Sequence, residues 1–399
     1  MQNINTFDFN KKKALIRVDF NVPLNEKFEV TDDTRISATI PTIKKVLEGG
    51  GIAVLMSHLG RPDGIVKDKY SLKHILPTLH ELLGGKHKVY FANDCIGEHA
   101  KFTLDMLRPG EVLVLENLRF YKEEEEGDTA FAKKLSRLGD VYINDAFGTA
   151  HRAHASTSVI AENFDGDHKM FGLLMEAEVS NAERVLKNAA KPFTAIIGGA
   201  KVSDKILLIE NLLERASDII IGGGMAYTFI KARGGQIGKS LCEEDKQDVA
   251  LTILKKATEK GVSIHLPETS VIAEKFSNDG PTQEVPSDQI PEGFMGLDIG
   301  GKAIGIFSEI IKRSKTILWN GPMGVFEMSK FEKGTKAIAL AVADATTIGA
   351  YSLVGGGDSV AAINKFGFAD DVSFVSTGGG ALLEFFEGKE LPGVKSILG

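Results

Sequence analysis

The sequence predicts an α/β protein of two doubly wound parallel-sheet domains joined by a helix. Three observations carry that prediction. The chain has 399 residues, enough for two domains at roughly 150 residues each. Short apolar, β-branched runs alternate with helix-length segments, the pattern of parallel strands covered on both faces. The chemistry is also divided: residues 1–170 hold 13 of the 43 glycines, while eight of the nine histidines precede residue 171 and only His265 follows.

In chain order, the first half offers strands at Ala14–Asp19 (ALIRVD), Ile52–Met56 (IAVLM), Val89–Phe91, Val112–Glu116 (VLVLE) and Val141–Asp145 (VYIND). The segment Phe171–Lys187 (FGLLMEAEVSNAERVLK) has no Gly or Pro after Gly172 and is expected to be the connecting helix. Beyond it come Phe193–Ile197 (FTAII), Asp218–Ile221 (DIII), Val262–Leu266 (VSIHL), Thr316–Trp319 (TILW), Tyr351–Val354 (YSLV) and Val372–Val375 (VSFV). Two such sets give two Rossmann-like domains, expected at residues 1–170 and 171–380. No fixed-period repeat or low-complexity tract appears. The acidic run Glu123–Glu126 reads as a solvated face.

Composition excludes several classes. With 43% hydrophobic and 25% charged residues, the chain is neither disordered, coiled-coil, collagen-like nor a disulfide scaffold. Net charge is −7, and residues 1–170 carry 23 basic against 25 acidic groups, so neither half is a basic nucleic-acid-binding domain. Cys95 and Cys242 stand far apart without a CxxC, which favours a reducing, cytoplasmic setting and no structural zinc. Met1–Asn10 lacks a basic and an apolar region, so no signal peptide is expected. The stretch Ala337–Gly357 carries Asp344 as its only charge but is diluted by Thr and Gly. It reads as a buried helix followed by a strand, not as a membrane span.

Unusual residues follow the strands, where open α/β sheets bind ligands. The first half collects Arg17, Arg35, His58, Arg61, Arg119, His151, Arg152 and His154 there. Arginine forks match carboxylate and phosphate oxygens, so the set points to a small anionic ligand, although single surface arginines commonly pair with local acids. His151 and His154 lack a nearby third ligand, which disfavours zinc. Asp19 and Asn21 suit the hydroxyls of a polyol; a plain turn accounts for them as well.

The second half offers glycine turns instead. Bare backbone lets N–H groups approach phosphates, and a helix N-terminus adds positive dipole. In Gly198-Gly199-Ala200-Lys201-Val202-Ser203-Asp204-Lys205, two lysines lie four apart, suited to a polyphosphate. Asp358, after Gly355-Gly356-Gly357, is placed to hold Mg²⁺ on that polyphosphate. Each glycine pair also serves tight turns, but four in one domain favour nucleotide binding. Arg233–Ser240 (RGGQIGKS) ends like a P-loop, yet Arg233 replaces the first Gly and a helix precedes it, so that reading is rejected. No G-x-G-x-x-G follows any strand, which weakens a nicotinamide dehydrogenase.

Nine motifs, in order and spanning nearly the whole chain, resemble the phosphoglycerate kinase family. They are RVDFNVP (Arg17–Pro23), SHLGRP (Ser57–Pro62), LENLRF (Leu115–Phe120), GTAHRAHAS (Gly148–Ser156), GGAKVSDKI (Gly198–Ile206), GGGMAYTF (Gly222–Phe229), WNGPMGVFE (Trp319–Glu327), VGGGDS (Val354–Ser359) and STGGGA (Ser376–Ala381). Ser359 stands where the family often has Thr, and Gly301 where Pro is frequent. The resemblance implies reversible phosphoryl transfer from 1,3-bisphosphoglycerate to ADP, giving 3-phosphoglycerate and ATP with Mg²⁺. It implies that Asp19, Phe20, Asn21, Arg35, His58, Leu59, Gly60, Arg61, Arg119 and Arg152 bind the phosphoglycerate. Gly199, Lys201, Lys205, Gly223, Gly296, Asn320, Glu327, Gly356, Gly357, Asp358 and Ser359 would bind Mg-nucleotide, with Glu327 on the ribose.

Catalysis is assigned to Arg35, Lys201 and backbone N–H groups at Gly356 and Gly379. The resemblance also implies a monomer with a cleft between its domains, a hinge near Gly378–Gly380 and a C-terminal segment, residues 381–399, returning to the first domain. The chemistry fits: the nucleophile is already anionic in both directions, so no general base is needed, and positioning with charge neutralisation suffices. Two rivals stand beside it. A dehydrogenase lacks its phosphate fingerprint, and an inactive sugar-phosphate binder sits poorly with Arg35 and Lys201 both present.

Overall fold

The computed structural model describes residues 3–399. The chain divides into two compact units, one of Met1–Ser180 with Glu390–Gly399 and one of Asn181–Lys389.

In the first unit, β1 (Lys13–Arg17), β2 (Ile52–Met56), β3 (Val89–Ala92), β4 (Val112–Leu115), β5 (Val141–Asn144) and β6 (Lys169–Phe171) form one sheet in the order β3-β4-β2-β1-β5-β6. Every pairing is parallel. The central strands are buried along their whole length, as uninterrupted apolar runs require. Ile16, Leu55, Val114 and Ile143 share a core with Ile36 and Ile43 of the helix Thr34–Glu48. From β1 the chain moves to β2 on one side, and from β5 to β6 on the other, so the switch point lies between β1 and β5.

The second unit contains β7 (Phe193–Ile197), β8 (Asp218–Ile221), β9 (Gln236–Ile237), β10 (Ser263–His265), β11 (Thr269–Ala273), β12 (Gln283–Pro286), β13 (Gln289–Ile290), β14 (Met295–Ile299), β15 (Thr316–Asn320), β16 (Tyr351–Val354) and β17 (Phe374–Val375). Six of them make a second all-parallel sheet, β10-β8-β7-β15-β16-β17, with its switch point between β7 and β15. Its core gathers Ile196, Ile220, Phe307, Trp319, Ile338 and Val354. The nearly uncharged stretch Ala337–Gly357 lies in the helix Lys333–Thr347, then β16 and the glycines after it. No helix among the described residues is long and apolar enough to cross a membrane.

Three features were not anticipated. β6 pairs beside β5, so Phe171 ends a strand and the helix that follows runs Leu173–Asn188. Asp145, at the end of β5, starts that helix by accepting the N–H groups of Leu174 at 3.0 Å and Met175 at 3.1 Å. The second unit also carries an antiparallel sheet, β12-β11-β14, and the pair β13-β9. The helix Gly380–Phe386 stays in the second unit, where Asn211 Nδ2 donates to the Phe386 carbonyl. Only the last ten residues join the first unit. There Asn144 Nδ2 donates to the Gly393 carbonyl at 3.1 Å, and Lys169 Nζ to the Ser396 carbonyl at 2.9 Å.

Candidate active site

The loops after β1, β2 and β4 assemble a basic site in the first unit. Asp19 accepts Arg35 Nη1 on Oδ2 at 2.6 Å and the Asn21 N–H on Oδ1 at 3.2 Å. Asn21 Oδ1 in turn accepts the Gly60 N–H at 2.9 Å, which ties the β1 loop to the β2 loop. The Phe20 N–H donates to Ser57 Oγ at 2.9 Å. Phe20 and Leu59 are buried, as are Asp19, His58 and Arg119 beside them. The Leu59 carbonyl accepts Asn117 Nδ2 at 2.7 Å, and the Gly60 carbonyl accepts Arg119 Nη1 at 3.0 Å. Arg119 Nε also lies 3.3 Å from Glu125 Oε1. Arg61 and Arg152 are exposed, and their guanidinium groups meet no hydrogen-bond or ion-pair partner among the described residues.

Burial and charge set the histidines. Burial, then Arg17, Arg119 and Arg35, hold the His58 imidazole well below its usual range. Burial, then the Arg119 and Arg17 charges, bring His154 down to about 4. Both rings are therefore neutral at pH 7 and serve as hydrogen-bonding groups, not as acids. His154 Nδ1 is buried with no hydrogen-bond partner.

Arg17 does not face a ligand: it is 1% exposed and turned into the unit. Its Nε donates to Ser156 Oγ at 2.8 Å, and its other nitrogens meet the Val18 carbonyl and His58 Nδ1. In the acidic run Glu123, Glu125 and Glu126 are exposed as expected, but Glu124 is not. Glu124 is 0% exposed and accepts both the N–H of Ser156, at 3.0 Å, and its hydroxyl, at 2.5 Å. Burial pushes its carboxyl up, while Arg17 and Ser156 pull it back. The chain Arg17–Ser156–Glu124 thus forms a buried polar support beneath the exposed arginines.

The second unit builds its site at the β7/β15 switch point. The Gly198 N–H donates to the Asn320 carbonyl at 2.9 Å, so the two loops touch through backbone. Gly223 has φ +68°, and a Cβ there would stand 2.6 Å from the Gly199 carbonyl. Gly356 has φ +97°, and a Cβ there would stand 2.6 Å from Asn320 Nδ2. Only glycine fits both places. Gly356 precedes the helix Gly357–Phe366, whose first N–H groups and dipole favour an anion. Asn320 Nδ2 donates to the Gly355 carbonyl at 2.8 Å, and Oδ1 accepts Lys205 Nζ. Ser359 is buried and its hydroxyl accepts the Gly321 N–H, so it braces the loop. Burial lowers Lys205, against the pull of Asp204, Asp358 and Glu387. Lys201 is exposed with no partner for its ammonium among the described residues.

Beside this loop cluster lies a cavity of about 650 Å³. Its wall includes Gly199, Gly223, Gly296, Glu327 and Asp358, five residues expected at a nucleotide. Tyr227, Leu241, Phe276 and Met295 add apolar surface suited to a flat base. Asp298 belongs to the wall too and was not anticipated. Its carboxylate accepts the N–H groups of Ile299 at 2.9 Å and Gly334 at 2.7 Å, and burial raises it to about 7. Gly357 opens the helix behind Gly356, and Gly379 caps the short helix Gly380–Phe386. Among the described residues no three His, Cys, Asp or Glu side chains converge as a metal cage. Asp358 is exposed in the first turn of its helix, and its carboxylate makes no hydrogen bond or ion pair with any described residue, Lys205 feeling its charge from further off. One free carboxylate beside a phosphate cradle fits Mg²⁺, which is usually held by one or two carboxylates and the phosphates themselves.

Comparisons with known proteins point to one family. The family model described as phosphoglycerate kinase matches residues 4–389. The chain is 53% identical to the phosphoglycerate kinase of Porphyromonas gingivalis, over 99% of this chain and 100% of that one. It is 51% identical to the cytosolic phosphoglycerate kinase of Nicotiana tabacum, over 98% and 96%. Among solved structures, phosphoglycerate kinase from Coxiella burnetii is similar with a TM-score of 0.89 and 40% identity, over 98% and 97%.

Proposed function

The chain belongs to the phosphoglycerate kinase family, and from that premise we propose how its two sites share the reaction. The activity is that of the family, reversible phosphoryl transfer between 1,3-bisphosphoglycerate and ADP giving 3-phosphoglycerate and ATP, a step of glycolysis. The first unit takes the phosphoglycerate. Arg61 and Arg152 have free guanidinium groups for its phosphate, and Arg35 and Arg119 already bridge loops there. Asp19 and Asn21 accept from the substrate hydroxyl. The second unit takes the nucleotide, its base in the cavity and its phosphates at Gly356–Asp358 with Lys201 and Lys205. Mg²⁺, held by Asp358 and the phosphates, would neutralise charge on them.

The observation that carries this reading is the glycine-walled cavity opening on a helix N-terminus that bears an unpaired Asp358. Transfer is direct and in line. The attacking oxygen is anionic in either direction, which agrees with His58 and His154 being held neutral. Arg35 and Lys201 neutralise the transferring phosphoryl. Cytosolic relatives support a cytoplasmic setting, and a monomer completes the proposal.

The test is a coupled assay with 3-phosphoglycerate, ATP and Mg²⁺. Arg35→Ala and Lys201→Ala should each lower kcat about 10²–10³-fold, the usual effect of losing one charge clamp. Lys11→Ala should leave it unchanged. Equal rates in all three would refute the roles, and no turnover by folded parent protein would refute the activity.

A further inference from the structure

The rejected P-loop look-alike contains a residue that the proposed sites leave unused. Lys239 lies in the wall of the nucleotide cavity, and it is the only Lys, Arg or His there. The carboxyl groups of that wall are Glu327, Asp358 and Asp298, the last raised to about 7 by burial. Lys201 and Lys205 belong to the neighbouring loop and are not part of the wall. Glu327 and Asp358 leave that wall short of positive charge for a ligand that carries phosphates, and Lys239 is the one side chain in it that offsets them.

The backbone presents Lys239 firmly. Its own N–H donates to the Phe294 carbonyl at 2.7 Å. The next residue, Ser240, is buried, its N–H donating to the Ile237 carbonyl at 3.0 Å and its Oγ accepting the Gly296 N–H at 2.9 Å. Leu241, next along, is also part of the wall. The side chain of Lys239 is exposed, and its ammonium makes no hydrogen bond or ion pair with any described residue. A fixed backbone therefore carries, on a flexible side chain, a free donor-only cation in the wall of the cavity proposed to take the base, from where it can turn toward the charged part of the same nucleotide.

We propose that Lys239 is a further nucleotide-binding residue, whose ammonium attracts and hydrogen-bonds the charged part of the nucleotide. The inference rests on the cavity being the nucleotide site. It distinguishes ligands by charge: a nucleoside diphosphate gains from Lys239, and an uncharged nucleoside does not. Lys239 acts on nucleotide affinity and leaves the phosphoglycerate site alone.

Titration calorimetry of the full chain with ADP and with adenosine tests it, alongside KM measurements for both substrates. Lys239→Gln should weaken ADP about tenfold, the scale of one partly exposed charge-assisted hydrogen bond. Adenosine affinity and KM for 3-phosphoglycerate should stay within about twofold. Lys239→Arg should restore ADP binding, and the Lys239→Gln effect should shrink as KCl rises. ADP binding by Lys239→Gln within twofold of the parent overturns the inference, as does an equal loss for adenosine. Lys205→Ala separates the two layers of argument. If the parent binds ADP and Lys205→Ala weakens it while Lys239→Gln does not, only the role of Lys239 falls. If folded parent binds no ADP, the cavity reading falls and takes Lys239 with it.

Discussion

Glu124→Ala should be among the most damaging single changes in the first unit, and the reason is the company Glu124 keeps. The substitution removes the acceptor of two hydrogen bonds from Ser156, at 3.0 and 2.5 Å, in a place closed to water. Arg17, itself 1% exposed, is then left with neutral partners alone: Ser156 Oγ, the Val18 carbonyl and His58 Nδ1. Glu124 attracts Arg17 through Ser156 and not by direct contact, so the loss approaches, as an upper bound, the roughly 3–5 kcal/mol of stripping one side from a directly paired buried charge. A cavity where the side chain stood adds to that loss. Glu124→Gln keeps the volume and removes the charge, so it should retain most of the penalty. Urea unfolding followed by far-UV circular dichroism measures both variants. Trp319 is the only tryptophan and is buried in the second unit, so its fluorescence tracks that unit separately. A loss under about 1 kcal/mol in both variants, the range of ordinary surface substitutions, would refute the argument from burial.

Other expectations follow from single sites. Gly223→Ala puts a Cβ 2.6 Å from the Gly199 carbonyl at φ +68°; KM for ADP should rise at least about tenfold with KM for 3-phosphoglycerate unchanged, and an unchanged KM for ADP sinks the cradle assignment. Gly60→Ala brings a Cβ within 2.4 Å of the Tyr70 ring and shifts the carbonyl that holds Arg119; stability should drop about 1–3 kcal/mol and KM for 3-phosphoglycerate should rise, read from urea midpoints and rates. The Asp298 carboxyl is raised by burial from 3.8 to about 7. Between those values the folded chain keeps a proton that the unfolded chain has released, so this contribution is whole below about pH 4 and lost as pH rises through 7. Asp298→Asn should flatten that part of the stability–pH curve, and an unaltered slope in urea midpoints would exclude the role.

The two large sheets were legible because their strands are continuous apolar runs. β2 and β15 need no partner to be recognised, since every side chain in them is buried. The antiparallel excursion was not legible. β12 reads QEVP and is exposed at three of its four positions, so nothing in its pattern announces a strand. β6 is three residues long at a sheet edge, below what periodicity can detect. Among the residues expected at the nucleotide, Gly199, Gly223 and Asp358 are legible from glycine turns after strands and Gly296 and Glu327 from the resemblance alone, and all five line one cavity. Others were hidden by distance along the chain. Glu124 looks like one of four solvated acids until Ser156, 32 residues on, is seen to bind it. Arg17 looks like another anion fork until its burial is known. Lys239 is hidden in a segment that fails as a P-loop, because the cavity it lines is completed by residues far along the chain, such as Gly296 and Glu327.

The first unit is not continuous in sequence. It is left at Ser180 and completed only from Glu390, after the entire second unit has been spelled out. A ribosome makes the chain in the opposite order of convenience. β5 and β6 emerge early, yet the Gly393 carbonyl that Asn144 engages and the Ser396 carbonyl that Lys169 engages are among the last groups released. The second unit is spelled out without a break from Asn181 to Lys389, and the helix Pro392–Leu398 belongs to the first. The two units are therefore unequal in connectivity: a single cut between Asn181 and Lys389 parts the two pieces of the first unit from each other, whereas a cut between Met1 and Ser180 leaves the second unit whole.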